Sequence, residues 1–230
     1  MNKKLSEIVA NIERTLSDNR EMMENADKTI QIARKQGNNA ITVKFNTLAY
    51  YIPAMDTELK VLIRAMILDP DNSSIHKKYI ALMLYEILRV QNGLYGEVQK
   101  ELTSLIQNDD KRGLPIDPDT LAQAWKLHGE RVAEVNRDKK FLTYLKRVRD
   151  NVVAHHTSKR EEGVDVLIEW YRDAADTEKA NVRHSDDQII DNALVVATSF
   201  HALGPEMLNA VSSDPLATMR DYKSRQVNKD

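Results

Sequence analysis

The scarcity of turn-forming residues is the feature that most constrains the fold of this chain. It contains 7 Gly and 6 Pro among 230 residues, so Gly makes up about 3%, against a usual share of roughly 7%. Sheets need many turns, and turns use Gly and Pro, whereas the abundant Glu, Lys, Leu, Ala and Met favour helices. We therefore predict an all-α fold, a helical bundle of about seven helices.

The composition also excludes or disfavours several classes of protein. The chain has no Cys, which excludes a disulfide scaffold, a cysteine zinc site and a thiol nucleophile. No run approaches the ~18 apolar residues of a membrane span, and the basic segment 1–7 lacks the apolar stretch of a signal peptide. We therefore expect a cytoplasmic protein with no membrane partner. The net charge of −2 gives no sign of nucleic-acid binding.

Apolar residues recur at helical spacing along most of the chain. Residues 40–52 are ambiguous, because 41–45 alternate like a strand, but without a partner strand we interpret them as helix. Breaks are expected at Pro53, at 93–96 and at 204–205, where Gly and Pro disfavour helix. The predicted helical segments are 4–35, 40–52, 56–68, 73–90, 97–107, 119–136, 139–156, 164–175 and 189–203.

Capping residues are predicted at three of these starts. Ser73 or Ser74 caps one helix and Asp119 or Thr120 another, and 185–188 matches a capping box. We interpret 1–211 as a single all-α domain and 212–230 as a polar C-terminal tail. The longest break, 108–118, is either a linker between N-terminal helices (1–107) and later helices (119–204) or a loop of one bundle.

The nearly neutral total charge hides one strongly basic segment. Eight basic and two acidic residues lie within 137–160, a net charge of +6, which leaves −8 for the rest of the chain. A basic stripe on one helix attracts phosphate groups through Coulomb forces and counterion release. The alternative is a solvated face paired with acidic residues elsewhere. The candidate RNA-binding residues are Lys139, Lys140, Lys146, Arg147 and Lys159.

The same segment holds the only motif with clear chemical potential, Arg149-Asp150-Asn151-Val152-Val153-Ala154-His155-His156. Arg is a permanently charged, forked donor for phosphate, and His transfers protons near neutral pH. RNA is cleaved without metal if a base takes the 2′-hydroxyl proton, an acid protonates the leaving 5′-oxygen and a cation holds the phosphate. The lack of Cys and of a Glu-x-x-His pair favours this scheme, with neither metal nor cofactor.

The run from Arg149 to His155 resembles the signature of the HEPN superfamily, an Arg and a polar residue followed, within four to six residues, by a His. The resemblance implies an up-and-down helical core, here with extra N-terminal helices, and a homodimer whose two motifs form a composite cleft. It also implies a metal-independent endoribonuclease of the abortive-infection or toxin branch, with an antitoxin or defence-system protein as a partner. In this scheme Arg149 stabilises the scissile phosphate, His155 is the general acid or base, and Asp150 and Asn151 fix their geometry.

The spacing leaves the choice of histidine open. At 100° per residue, His155 lies about 240° round a helix from Arg149, and His156 lies within about 20° of it. The family alignment favours His155. A second hypothesis is a non-catalytic HEPN-like module that binds RNA, a nucleotide or a protein partner. The remaining histidines are interpreted as surface or satisfied core residues: His76, His128, His184 and His201.

Overall fold

The regular structure of the protein is helical. A computed structural model describes residues 3–36, 40–157 and 186–227, and for 3–5, 74, 151–157, 186 and 187 it describes the backbone alone. Within these ranges the only β-structure is an isolated bridge between Ile116 and Val211, so the predicted all-α fold is confirmed. The helices are α1 (Lys3–Lys35), α2 (Ala40–Leu68), a short 3-10 helix (Pro70–Asn72), α3 (Ser73–Gln107), α4 (Pro118–Arg131), α5 (Ala133–Arg137), α6 (Lys139–Thr157), α7 (Asp186–Leu208) and α8 (Pro215–Val227).

The predicted break at Pro53 is wrong, because α2 continues through this residue. Proline removes one backbone hydrogen bond and crowds the preceding turn, at a cost of about 3 kcal/mol. The apolar stripe on either side is fully buried, with Leu48, Ile52, Leu59 and Ile63 all at 0% exposure. Each such side chain contributes about 1.5–3 kcal/mol on burial, so packing outweighs the local penalty.

The predicted breaks at 93–96 and 204–205 are wrong for a related reason. α3 is continuous from Ser73 to Gln107, and α7 runs through Pro205 to Leu208. Buried residues lie beyond each weak point, among them Val98 on α3 and Met207 on α7. An interior Gly costs only about 1 kcal/mol relative to Ala, which burial of one such side chain offsets on α3. On α7 the additional cost of about 3 kcal/mol for Pro205 is offset by burial of Phe200, Leu203 and Met207 together.

The helix starts differ from the predicted ones. α3 begins at Ser73, so the capping position belongs to Asn72 and not to Ser73 or Ser74. The side chain of Asn72 makes no capping hydrogen bond. Asp117 caps the N-terminus of α4, since its Oδ1 accepts a hydrogen bond from the backbone N–H of Thr120 at 3.0 Å. The segment predicted as one helix over 119–136 is divided at Val132 into α4 and α5. The predicted helix 164–175 and the start of the capping box at Ser185 lie outside the described residues.

The segment predicted as a polar tail contains a helix instead. α8 follows a short stretch that is hydrogen-bonded to the 108–117 loop: the N–H of Leu114 donates to the carbonyl of Pro215, and that of Asp117 donates to the carbonyl of Ala210, both at 2.8 Å. Arg225 donates to the Asp117 carboxylate at 2.6 Å. We call this arrangement the loop–α8 clasp. It places residues after 212 against the helical body.

The core is one hydrophobic cluster to which residues on both sides of 108–118 contribute. α2 lies between α1 and α3 and also packs against α7, while α4 packs against α7 and α6 against α3. Leu114 and Ile116, within the 108–118 break, are buried members of the same cluster.

Candidate functional site

The motif lies on α6, whose amphipathic pattern fixes which side chains face solvent. Asp138 precedes the helix and caps it, because its Oδ1 accepts a hydrogen bond from the N–H of Phe141 at 2.9 Å. Phe141, Leu145 and Val148 follow the i, i+4, i+7 spacing of one helix face and are buried. Since α6 packs against α3, its other faces carry the polar residues.

Four of the five predicted RNA-binding residues lie on exposed faces of α6. Lys139, Lys140, Lys146 and Arg147 are exposed, and Lys159 lies outside the described residues. A cation on a solvated helix surface reaches a phosphate without a large desolvation cost. The described part of α6 therefore presents a basic surface, which we call the α6 basic face, defined by these four residues.

Arg149 is held at the contact between α6 and α3. Its Nη1 donates to Asp150 Oδ1 at 3.0 Å, and its Nε lies 3.9 Å from Glu86 Oε1. Its Cζ lies 5.9 Å from the ring centroid of Tyr85, within range of a cation–π interaction. The hydrogen bond to Asp150 is the main reason why the pKa of Arg149 is raised.

The side chain of Arg149 is oriented but not enclosed. It is 32% exposed, and Asp150 beside it is 48% exposed. The Nε of Arg149 is buried and makes no hydrogen bond among the described residues. A phosphate oxygen could approach the exposed part of the guanidinium, where it would compete with Asp150 and Glu86 for the same charge.

The backbone of α6 is helical through Thr157, which fixes the relative positions of the motif residues. At 1.5 Å per residue, the Cα atoms of Arg149 and His156 are about 10 Å apart along the axis and nearly in line. The Cα atom of His155 lies about 240° round the helix from that of Arg149. The side chains of Asn151, His155 and His156 are outside the described part of the structure.

Two neighbours of Arg149 were not predicted from the sequence. Tyr85 and Glu86 lie within the predicted helix 73–90, and both are half-buried. Tyr51 on α2 belongs to the same neighbourhood: burial raises its pKa to about 12, with a smaller contribution from the charge of Glu86. The sequence offered one signal for this neighbourhood, which is that Glu86, Tyr85 and Tyr51 carry polar groups within otherwise apolar helical stripes.

His128 shows what a satisfied core histidine looks like in this protein. It is 2% exposed, with Nδ1 at 2.8 Å from Ser199 Oγ and Nε2 at 3.0 Å from Gln91 Oε1. Burial, reinforced by the positive charge of Arg131, lowers its pKa to about 4. The interpretation of His128 as a core residue is confirmed, and His184 lies outside the described residues.

No group of three or more His, Asp or Glu side chains in the described residues is arranged to hold a metal ion. No helix in the same ranges has the length and apolar character needed to cross a membrane. Comparison of the chain with protein-family models, curated proteins and solved structures gives no match. The HEPN resemblance therefore rests on the motif residues and their placement on α6.

Proposed function

We propose that the chain is a metal-independent endoribonuclease of HEPN type. The observation that carries the proposal is the Arg149 side chain, which is partly exposed and held by Tyr85 and Asp150. It lies on the same helix as the exposed Lys146 and Arg147. A fixed guanidinium beside a basic surface suits a phosphate that gains negative charge during reaction.

The proposed reaction is a transesterification within the RNA strand. A histidine base removes the 2′-hydroxyl proton, the 2′-oxygen attacks the adjacent phosphorus, and the bond to the 5′-oxygen breaks as a second histidine protonates it. The products are a 2′,3′-cyclic phosphate and a 5′-hydroxyl. His155 is the proposed acid or base, Arg149 stabilises the phosphate, and Asp150 and Asn151 orient them.

The proposed enzyme is a homodimer with a composite cleft. Because His155 lies about 240° round α6 from Arg149, an Arg149 of one protomer is more easily combined with the partner's His155 than with its own. Two protomers also supply two histidines, one for each proton transfer. On the HEPN resemblance, we propose a cytoplasmic toxin or anti-phage defence effector, with an antitoxin or defence-system protein as a further partner.

The test is cleavage of RNA by the purified protein in EDTA, beside the Arg149→Ala/His155→Ala double variant. We expect cleavage by the wild type, with cyclic-phosphate ends, and a loss of at least 100-fold in the double variant. Arg112→Ala is a matched control, because Arg112 is also an exposed arginine bonded to a nearby aspartate, Asp110. Equal cleavage by wild type and double variant would show that another site or a contaminant acts.

The single variants His155→Ala and His156→Ala distinguish the two histidines. Loss of activity in His155→Ala alone favours the composite cleft. Loss in His156→Ala alone favours an acid or base on the same helix face as Arg149, within one protomer. Analytical ultracentrifugation of both variants checks that the oligomeric state is unchanged.

A second candidate function is a non-catalytic module that binds RNA, a nucleotide or a protein partner. The favouring observation is that two carboxylates, Asp150 and Glu86, already lie beside Arg149. In this case fluorescence anisotropy would show RNA binding in EDTA without cleavage. The affinity would fall with salt and fall further in a Lys146→Ala/Arg147→Ala variant.

A further inference from the structure

Tyr79 is an exposed aromatic residue on the solvent side of α3. It is 49% exposed, whereas Ile80, Ala81 and Leu84 on the core side of the same helix are at 0%. A single exposed apolar side chain is common on protein surfaces, so the residues around Tyr79 decide what its ring can bind.

Tyr79 belongs to a row of side chains that runs along α3 past Arg149. Ile75, Tyr79, Glu86 and Arg89 are spaced i, i+4, i+11 and i+14, which places them within about 80° of one another round the helix. The first two and Arg89 are exposed, and Glu86 is half-buried. We call these four residues the α3 stripe. Because Glu86 Oε1 lies 3.9 Å from Arg149 Nε, the stripe passes directly beside the guanidinium.

The spacing along the α3 stripe suits a nucleic-acid strand. Tyr79 is seven residues before Glu86, about 10 Å along the helix axis, and Arg89 is three residues after it, about 4.5 Å. Stacked nucleotides are ~3.4 Å apart along a strand. A strand with one phosphate at Arg149 therefore brings a base about three nucleotides away beside Tyr79, and a nearer base if the strand is extended.

Positive charges surround Arg149 on both helices. Arg89 is exposed on α3, and Lys146 is exposed on α6, one turn before Arg149 and about 60° round the helix from it. These three cations face two carboxylates, Glu86 and Asp150, so the surface has a net charge of +1. Cations that bind phosphates, combined with an aromatic ring that stacks on a base, are typical of surfaces that bind single-stranded nucleic acid.

We infer that Tyr79 stacks on a base of the RNA strand whose phosphate binds Arg149, and that Arg89 binds a neighbouring phosphate. This inference rests on the RNA binding proposed above and adds to it two residues of α3. In a duplex each base is stacked and paired, and side chains read mainly the shape and the backbone. Tyr79 therefore contributes to the binding of a single strand and not to that of a duplex.

The test is binding of a fluorescent 2′-O-methyl RNA strand of about a dozen nucleotides to the full-length protein, followed by fluorescence anisotropy in EDTA. The methyl group blocks the 2′-oxygen, so the strand is not cleaved and binding is measured by itself. We expect Tyr79→Leu to lower the affinity about tenfold, because stacking on one base is lost. Tyr79→Phe keeps the ring and should stay within about twofold of the wild type.

Two comparisons separate stacking from charge and from general surface effects. With the same strand annealed to its complement, Tyr79→Leu should bind as the wild type does. Tyr50→Leu is the matched control, since Tyr50 is 42% exposed but lies on α2, and it should leave the affinity unchanged. Arg89→Ala should reduce the slope of log affinity against log salt by about 0.7, as expected for one phosphate contact with a single strand, whereas Tyr79→Leu should leave this slope unchanged.

Wild-type affinity in Tyr79→Leu would overturn the inference, as would an equal loss in Tyr50→Leu or with the duplex, or no binding of the strand by the wild type. Circular dichroism checks that each variant is folded. A protein that binds the strand through Tyr79 but does not cleave unmodified RNA would refute the nuclease and keep the stacking. A protein that cleaves RNA and binds the strand equally well without Tyr79 would refute the stacking and keep the nuclease.

Discussion

Protonation of His128 is expected to destabilise the protein as the pH falls below neutrality. Gln91 Oε1 can only accept, so Nε2 of His128 carries the proton and donates to it at 3.0 Å. Nδ1 then accepts from the Ser199 hydroxyl at 2.8 Å. Adding a second proton puts a charge into a site that is 2% exposed and turns an acceptor into a donor facing that hydroxyl.

The magnitude follows from the difference between the folded and unfolded pKa values. The pKa of His128 falls from 6.5 to about 4 on folding, mainly through burial and then through the charge of Arg131. Because the folded pKa is the lower one, the unfolded chain binds the extra proton first. The stabilisation is complete above pH 6.5 and is lost as the pH falls towards 4. The loss is about 2 kcal/mol at pH 5 and about 3 kcal/mol in full.

The assay is urea unfolding followed by circular dichroism at pH 7.5, 6.5, 5.5 and 5.0, as test conditions, for the wild type and His128→Gln. The variant lowers stability at every pH, but its free energy of unfolding should fall by about 2 kcal/mol less between pH 7.5 and 5.0. The carboxylates are the same in both proteins, so their contribution to the pH dependence of stability cancels when the two changes in free energy of unfolding are compared. His76→Gln, which removes an imidazole 3.6 Å from Asp69, controls for loss of a histidine in general.

Parallel pH profiles for the wild type and His128→Gln would refute this reasoning. That result would mean that water or a rearrangement stabilises the imidazolium in the core. A pH dependence lost equally in His76→Gln would assign the effect to another part of the chain.

Three further predictions concern the packing of the helices. Gly113→Ala should lower the free energy of unfolding by at least about 1 kcal/mol, because Gly113 has φ +80° and an added Cβ would clash with the carbonyl oxygen of Pro215. Amide hydrogen exchange over 215–227 should become faster, and unchanged exchange would contradict the prediction. Asp117→Ala removes the α4 cap and should lower the free energy of unfolding by about 1–2 kcal/mol. Calorimetry should show this as a fall in Tm of roughly 2–4 °C for each kcal/mol, whereas Asp117→Asn should retain most of the stability because the Asn side chain can also cap. Lys60→Met should lower the free energy of unfolding, measured in urea, by about 3–5 kcal/mol, because it leaves the Asp56 carboxylate without its cation. Adding Asp56→Leu should restore much of this stability, and a double variant as unstable as Lys60→Met would show that the ion pair is not the cause.

Helical periodicity predicted α1 and α6 to within about one residue at each end, because long amphipathic stripes dominate the local signals there. It failed at Pro53, where a local penalty of about 3 kcal/mol is smaller than the burial energy of the flanking stripe. It also failed at α8, in which Met219 is the one buried residue. The position of α8 depends on bonds to residues about a hundred positions earlier, which a local pattern does not contain.

The candidate site was predictable only on its own helix. The spacing of Phe141, Leu145 and Val148 predicts which side of α6 is buried, and hence that the intervening basic residues are exposed. Glu86 and Tyr85 lie on α3, and their approach to Arg149 follows from how two helices pack, which single-sequence periodicity does not specify. The same holds for the buried hydrogen bond between Asn19 and Asp56, which requires the register between α1 and α2.

The loop–α8 clasp has a consequence for the order in which the protein completes its fold during synthesis. The chain emerges from the ribosome N-terminal end first, so the 108–117 loop is made long before the residues that accept its hydrogen bonds. Until Ala210 and Pro215 follow, the N–H groups of Asp117 and Leu114 lack the acceptors they have in the finished protein. Helices upstream can pack during synthesis, while this loop is set only near the end of translation. A ribosome stalled after the 108–117 loop has left the exit tunnel, but before Ala210 is made, would therefore expose this loop to proteases and chaperones.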